Sequence, residues 1–348
     1  MELEFNIKNA FHYGYILSLG HQVKPGENPL YSLFEDNIDA GRELRFTPPG
    51  VAADVDSKKA LSGILGRSFA LGVLNELYHF TWFASISNLR KLPENGWSAE
   101  NKAPGNSPDF LAANSNSFAV AEAKGTSNHI NTSSADAAEW RTQASNIIIK
   151  KNGTSVQFKS WIIATRFVLN TERRKFPEML IEDPIIEGRR LRENDLPSLS
   201  RWIASGHVFR NLERLRLYNL IIRIREPQLG KIQVLVWQCI YPRLQHLRFV
   251  GGPLDFDPNQ CFSYWDKDYF RHRRERVEFL AHTLQRFNRG FFDGQELEVV
   301  RDLANGDSPR PVPVESLINE SYVFINLLDD GSLIAPMSLM RLVDIKEI

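Results

Sequence analysis

The 348-residue chain reads as an α/β (α+β) protein on three observations. Leu61, Ile64, Leu65, Phe69, Val73, Leu77 and Phe80 recur at helical spacing, which predicts an amphipathic helix over 57–80. Residues 107–113 and 118–125 are strand-like runs around Asn114-Ser115-Asn116-Ser117, a cluster of turn formers that makes them a β-hairpin. After a second helix over 134–149, opened by Ser134 or Asp136 as cap, residues 160–169 form the near-continuous apolar run of a buried strand. With a strand over 81–89, the order is helix, strand, hairpin, helix, strand.

Composition narrows the function classes. With 43% hydrophobic and 24% charged residues, the chain can bury a real core. Residues 1–10 show no basic segment ahead of an apolar one, and no run of about 18 apolar residues occurs. Two cysteines, Cys239 and Cys261, make no disulfide framework or zinc spacing. A cytoplasmic protein without a membrane role is expected. Net charge is zero, but residues 151–300 hold 25 Lys and Arg against 18 Asp and Glu. That arginine-rich middle is compatible with a nucleic-acid partner. The P-loop, dinucleotide fingerprint and nucleophile elbow are all missing, so nucleotide-driven and serine-hydrolase chemistry is not expected.

The hairpin carries the chemistry. A turn symmetric about Ser115-Asn116 sets Ala113 opposite Phe118, Leu111 opposite Val120 and Asp109 opposite Glu122. Facing carboxylates repel unless a cation lies between them. The period of two puts Val120, Glu122 and Lys124 on one face. Ala119, Ala121 and Ala123 fall on the other, a smooth surface for a helix. Two carboxylates beside an ammonium suit phosphodiester hydrolysis: a metal neutralises phosphate charge and acidifies its water, and the lysine orients that water.

Pro108-Asp109 followed by Glu122-Ala123-Lys124 resembles the signature of the PD-(D/E)xK nuclease superfamily, and the element order resembles its αβββαβ core. The resemblance covers residues 60–170. It implies a restriction endonuclease-like fold with a mixed central sheet and a Mg²⁺-dependent nuclease acting on nucleic acid, DNA above all, with Mn²⁺ able to substitute. Asp109, Glu122 and the backbone carbonyl of Ala123 become the expected metal ligands, and Lys124 the residue that orients the attacking water. An acidic residue on the helix before the hairpin often joins the metal in this superfamily. Glu76, within 20° of both Leu65 and Phe69 on a helical wheel, is placed to be that residue. Its alternative is a helix-edge glutamate reaching solvent or pairing with an arginine such as Arg67. Exonuclease-like branches carry a glutamine on the second helix, matched by Gln143, and then a tyrosine where this chain has Ile147. Restriction or anti-phage defence and a homodimer or separate partner subunit also follow from the resemblance alone. The alternatives are a catalytically silent subunit of nuclease fold that binds DNA or a partner, and an RNA-cleaving effector.

The flanks are less informative. Residues 1–56 read as an N-terminal extension with a strand over 11–19, residues 57–175 as the nuclease core, and 176–348 as a basic C-terminal region. Residues 93–105 read as a polar loop, His129 as polar surface beside the site, and 171–192 as a linker or lid. An arginine-rich helix is expected over 199–224, strands over 231–241 and around 322–328, and a turn at Asp329-Asp330-Gly331. Residues 264–292 mix aromatics with arginines, as a base-stacking surface or an amphipathic helix would.

Overall fold

The computed structural model describes residues 7–18, 54–92, 94–183, 190–226, 230–253, 290–314 and 325–348, with the short pieces 34, 38–39, 44–48, 50, 52, 185–186, 188, 228 and 277. It is a mixed α/β structure that divides into two compact units, residues 1–19 with 30–207, and 20–29 with 208–348. The expected segments 1–56, 57–175 and 176–348 are not these units: the N-terminal residues and 176–207 both fold with the first.

The first unit opens with α1 (Ile7–Ser18), β1 (Ile38–Asp39), β2 (Arg45–Phe46), α2 (Val55–Glu76), β3 (Trp82–Ser85) and α3 (Ile86–Leu89). Next come β4 (Trp97–Glu100), β5 (Phe110–Ala113), β6 (Phe118–Thr126), α4 (Ala135–Ser145), β7 (Ile148–Lys151) and β8 (Thr154–Ser155). It continues with β9 (Phe158–Arg166), β10 (Val168–Leu169), β11 (Glu178–Glu182), β12 (Ile185–Ile186) and the start of α5 (Leu196–Arg214).

Among the described residues its main sheet runs β11-β9-β6-β5-β3, with β12 also on β9. Strands β3, β5 and β6 are antiparallel neighbours, whereas β6 and β9 are parallel. A parallel pair needs a crossover, and α4 lies within it. The hairpin register is the expected one, Ala113 opposite Phe118 and Leu111 opposite Val120. Its turn is closed by the Asn114 side chain, whose Oδ1 accepts from the N–H groups of Asn116 at 2.9 Å and Ser117 at 2.7 Å.

Helices α2 and α4 take opposite faces of β6. A Cβ on Gly125 would overlap the Ser62 carbonyl of α2, and one on Gly66 would overlap the backbone of Lys124 and Gly125. On the other face Lys124 meets Gln143 of α4. The alanine face of β6 is buried, with Ala119 and Ala121 at 0% exposure. Gly66 therefore has a packing reason; Gly63 faces open space.

Several local expectations change. Residues 7–18 are helical rather than a strand: short apolar runs do not separate the two, and here Phe11 packs edge-on to Phe69 of α2. The strand expected over 81–89 stops at Ser85, whose hydroxyl caps α3 at Asn88 N–H. The supposed loop 93–105 contains β4, paired with β7. The helix expected to reach 149 ends at Ser145, because β-branched Ile147 to Ile149 suit a strand better. The strand over 160–169 breaks into β9 and β10, the latter paired with β2. The supposed linker supplies β11 and β12, both antiparallel to β9.

The second unit holds the end of α5, then α6 (Tyr218–Arg225), β13 (Gln233–Cys239), β14 (Phe249–Pro253), β15 (Phe291–Glu296), α7 (Leu297–Asn305), β16 (Asn326–Leu327), β17 (Ser332–Pro336) and β18 (Met340–Glu347). Its described strands form an antiparallel sheet, β16-β17-β15-β14-β13-β18. The expected single helix over 199–224 is broken near Arg216, which takes a left-handed φ of 58°. The expected turn at 329–331 is present, with Gly331 at φ 79° between β16 and β17. Arg214 forms an ion pair with Asp293 and hydrogen-bonds Asn211, all deeply buried. No helix among the described residues is long and apolar enough to cross a membrane.

Candidate active site

Asp109 sits where β5 gives out. Its N–H bonds the Ala121 carbonyl at 3.0 Å, although Ala121 is already the register partner of Phe110. Two residues thus oppose one, as in a β-bulge, and a bulge re-aims the side chain it carries. The regular Asp109–Glu122 pair expected from the hairpin is replaced by this arrangement. Asp109 Oδ2 now accepts the Ala123 N–H at 2.9 Å, closing the edge of β6 that β5 has left. In an extended strand a residue's N–H and C=O project to one side, so the Ala123 carbonyl faces the same edge.

Arg67 of α2 holds the other oxygen. Its Nε donates to Asp109 Oδ1 at 2.9 Å, and a terminal nitrogen lies 2.7 Å from that same atom. The sequence had offered Arg67 only as a partner for Glu76. The available signal was its place next to Gly66, where α2 comes close to the backbone of β6.

Glu122 comes from the middle of β6 and is 2% exposed. Its Oε1 lies 2.6 Å from Lys124 Nζ, while Oε2 is buried with no hydrogen-bond partner. Burial pushes its carboxyl up to about 7, and the charge of Asp109 adds to the rise against the pull of Lys124 and Arg67. The two carboxylates are therefore close enough to interact, as the hairpin reading expected.

Lys124 is the joint of the site. Besides Glu122 it donates to Gln143 Oε1 at 2.6 Å, and Gln143 Nε2 reaches Glu139 at 3.3 Å along α4. Gln143 is 8% exposed, on a short helix capped by the Ser134 hydroxyl. Asp109, Glu122, Ala123, Lys124 and Gln143 are thus brought together, and Arg67 joins them.

Glu76 is not. It is the last residue of α2, nine positions past Arg67, an axial rise of about 13.5 Å and half a turn around the helix. Among the described residues no three His, Cys, Asp or Glu side chains gather as a metal site, so Glu76 does not complete one with Asp109 and Glu122. Both its angle, half a turn from Arg67, and its distance along the axis keep it from the site. His129 is tied by Nδ1 to Glu178 at 2.8 Å, and Arg166 shares that carboxylate at 2.8 Å.

The residues present fit a small hard cation. An orphaned buried carboxylate oxygen on Glu122 lies beside a second carboxylate, and Mg²⁺ takes one or two carboxylates while keeping several waters. The expected basic surface is less free than its composition implied. Arg201 pairs with Glu94 at 2.6 Å, Arg210 with Glu213 at 3.2 Å, and Arg214 is buried on Asp293. The aromatic and basic residues 264–276 lie outside the described residues. Set against protein-family models, curated proteins and solved structures, the chain matches none.

Proposed function

We propose that this chain is a metal-dependent nuclease of the PD-(D/E)xK type, with a restriction endonuclease-like core, that hydrolyses DNA phosphodiester bonds. The observation that carries the reading is Lys124 Nζ, within 2.6 Å of both Glu122 and Gln143 in a cluster shared with Asp109. The order α2, β3, β5, β6, α4, β9, with β6 and β9 parallel, supports it.

Asp109, Glu122 and the Ala123 carbonyl would hold a divalent cation, Mg²⁺ or Mn²⁺. When bound, that ion supplies Lewis-acid stabilisation of the phosphate charge and a more acidic water. Lys124 aims its ammonium at the attacking oxygen and adds positive charge where the phosphorane develops. Gln143 fixes the lysine from the opposite side. Ala123 N–H holds Asp109 in place, so the carboxylate needs little reorganisation. Restriction or anti-phage defence is the biological setting this reading favours.

A second reading has one observation in its favour. Arg67 covers Asp109, which suits a silent subunit that keeps the fold and binds DNA or a partner. Cleavage of plasmid, linear duplex, single-stranded DNA and RNA, with Mg²⁺ or Mn²⁺ and with EDTA, separates the readings. Metal-dependent cutting lost in Lys124→Ala is expected, and the preferred substrate distinguishes a DNase from an RNA-cleaving effector. DNA binding without cutting by the wild type would favour the silent subunit.

A further inference from the structure

Both oxygens of Asp109 are already taken. Oδ2 holds the Ala123 N–H, a contact that keeps the strand edge closed. Oδ1 holds Arg67 through two nitrogens. A cation ligated through Oδ1, the oxygen that no backbone group holds, meets the guanidinium there. Across the site, Glu122 Oε2 is buried without a partner while its neighbour Asp109 keeps a counter-ion. The Arg67 side chain is 50% exposed, against 14% for Asp109, so it has room to leave.

We propose that Arg67 is a tethered stand-in for the metal, displaced from Asp109 when a divalent cation enters and transferred to a phosphate of the substrate. This rests on the nuclease reading of the site and adds a residue to it. The released guanidinium would sit on the face of α2 next to Gly66, the residue that touches the backbone of Lys124 and Gly125. A planar fork of donors suits a phosphodiester oxygen pair as well as a carboxylate. The exchange raises the positive charge at the site, a divalent cation replacing a monovalent guanidinium on Asp109, and the freed arginine is met by the negative charge of the arriving phosphate.

The test is calorimetric titration of Mn²⁺ into wild type, Arg67→Gln and Arg67→Met, with duplex affinity measured by anisotropy in Ca²⁺. An exposed ion pair of this kind predicts Mn²⁺ binding about two- to fivefold tighter in both variants. Duplex affinity should fall in both, with a shallower salt dependence. Mn²⁺ binding that is unchanged or weaker in the variants, with the wild type binding normally, overturns the exchange and leaves the metal site standing. Tighter Mn²⁺ binding with unchanged duplex affinity also overturns it, because the arginine then has no phosphate to go to. Absence of Mn²⁺ binding in all three proteins removes both the exchange and the metal-dependent reading. Thermal melts of each variant confirm that a folded protein is being titrated.

Discussion

Lys124 reaches Gln143 at 2.6 Å across the crossover that carries the chain from β6 to β9. The lysine is 29% exposed at its side chain and has a flexible stem, so this bond and the one to Glu122 set its direction. Gln143→Ala should lower kcat by roughly ten- to a hundredfold, as small misplacements of a positioned group do. KM should change little, and Lys124→Ala should lose cleavage altogether. Steady-state cleavage of a labelled duplex checks all three; an unchanged kcat in Gln143→Ala would remove the glutamine from the site.

Glu122 makes the stability of the metal-free protein depend on pH. Its folded carboxyl titrates at about 7, raised from 4.5 chiefly by burial. Between those values the folded chain keeps a proton that the unfolded chain has lost, so stability falls as pH rises from 4.5 to 7. Glu296, also raised by burial to about 7, adds to the same window. Glu122→Gln should therefore match wild type at low pH and exceed it at pH 8, by up to about 3 kcal/mol. Denaturant titrations across this range measure the difference. Mg²⁺ at pH 8 should stabilise the wild type more than this variant.

Two glycines of one helix should respond in opposite directions. Gly66→Ala would push a Cβ into the backbone of Lys124 and Gly125, costing about 1–3 kcal/mol and displacing β6. Gly63→Ala meets nothing within 4 Å and should stabilise by about 0.5–1 kcal/mol. Melting temperatures and cleavage rates of the pair check this; destabilisation by Gly63→Ala would show that the open space is filled.

In the second unit, Asp293 is fully buried against Arg214. Asp293→Ala would leave the guanidinium without its counter-ion and should destabilise that unit by about 3–5 kcal/mol. Asp293→Asn, which keeps an acceptor, should cost less. Hydrogen exchange of β15 amides is the direct readout.

Much of the site was legible because it is local. Asn114 to Ser117 close a turn whose register then places Glu122 and Lys124 by counting in twos. The bulge at Asp109 was not legible, since it depends on backbone partners distant in sequence, Ala121 of β6 and Ile86 of α3. Arg67 was missed because its partner is 42 residues away. Glu76 failed as a ligand because it lies half a turn around α2 from Arg67, which faces the site, and about 2.5 turns further along the axis. The sheet of β4, β7 and β8 was hidden by a polar stretch whose one strong anchor, Trp97 at 1% exposure, carries no periodic signal alone.

The alternation along β6 divides its two sides between different kinds of constraint. Ala119, Ala121 and Ala123 are buried, and at Gly125 a Cβ would overlap the Ser62 carbonyl of α2. Residues 122 and 124 join each other and Gln143 in the candidate site. Saturation mutagenesis of this strand should give a tolerance profile that oscillates with each residue: size decides survival at odd positions, and charge decides it at 122 and 124.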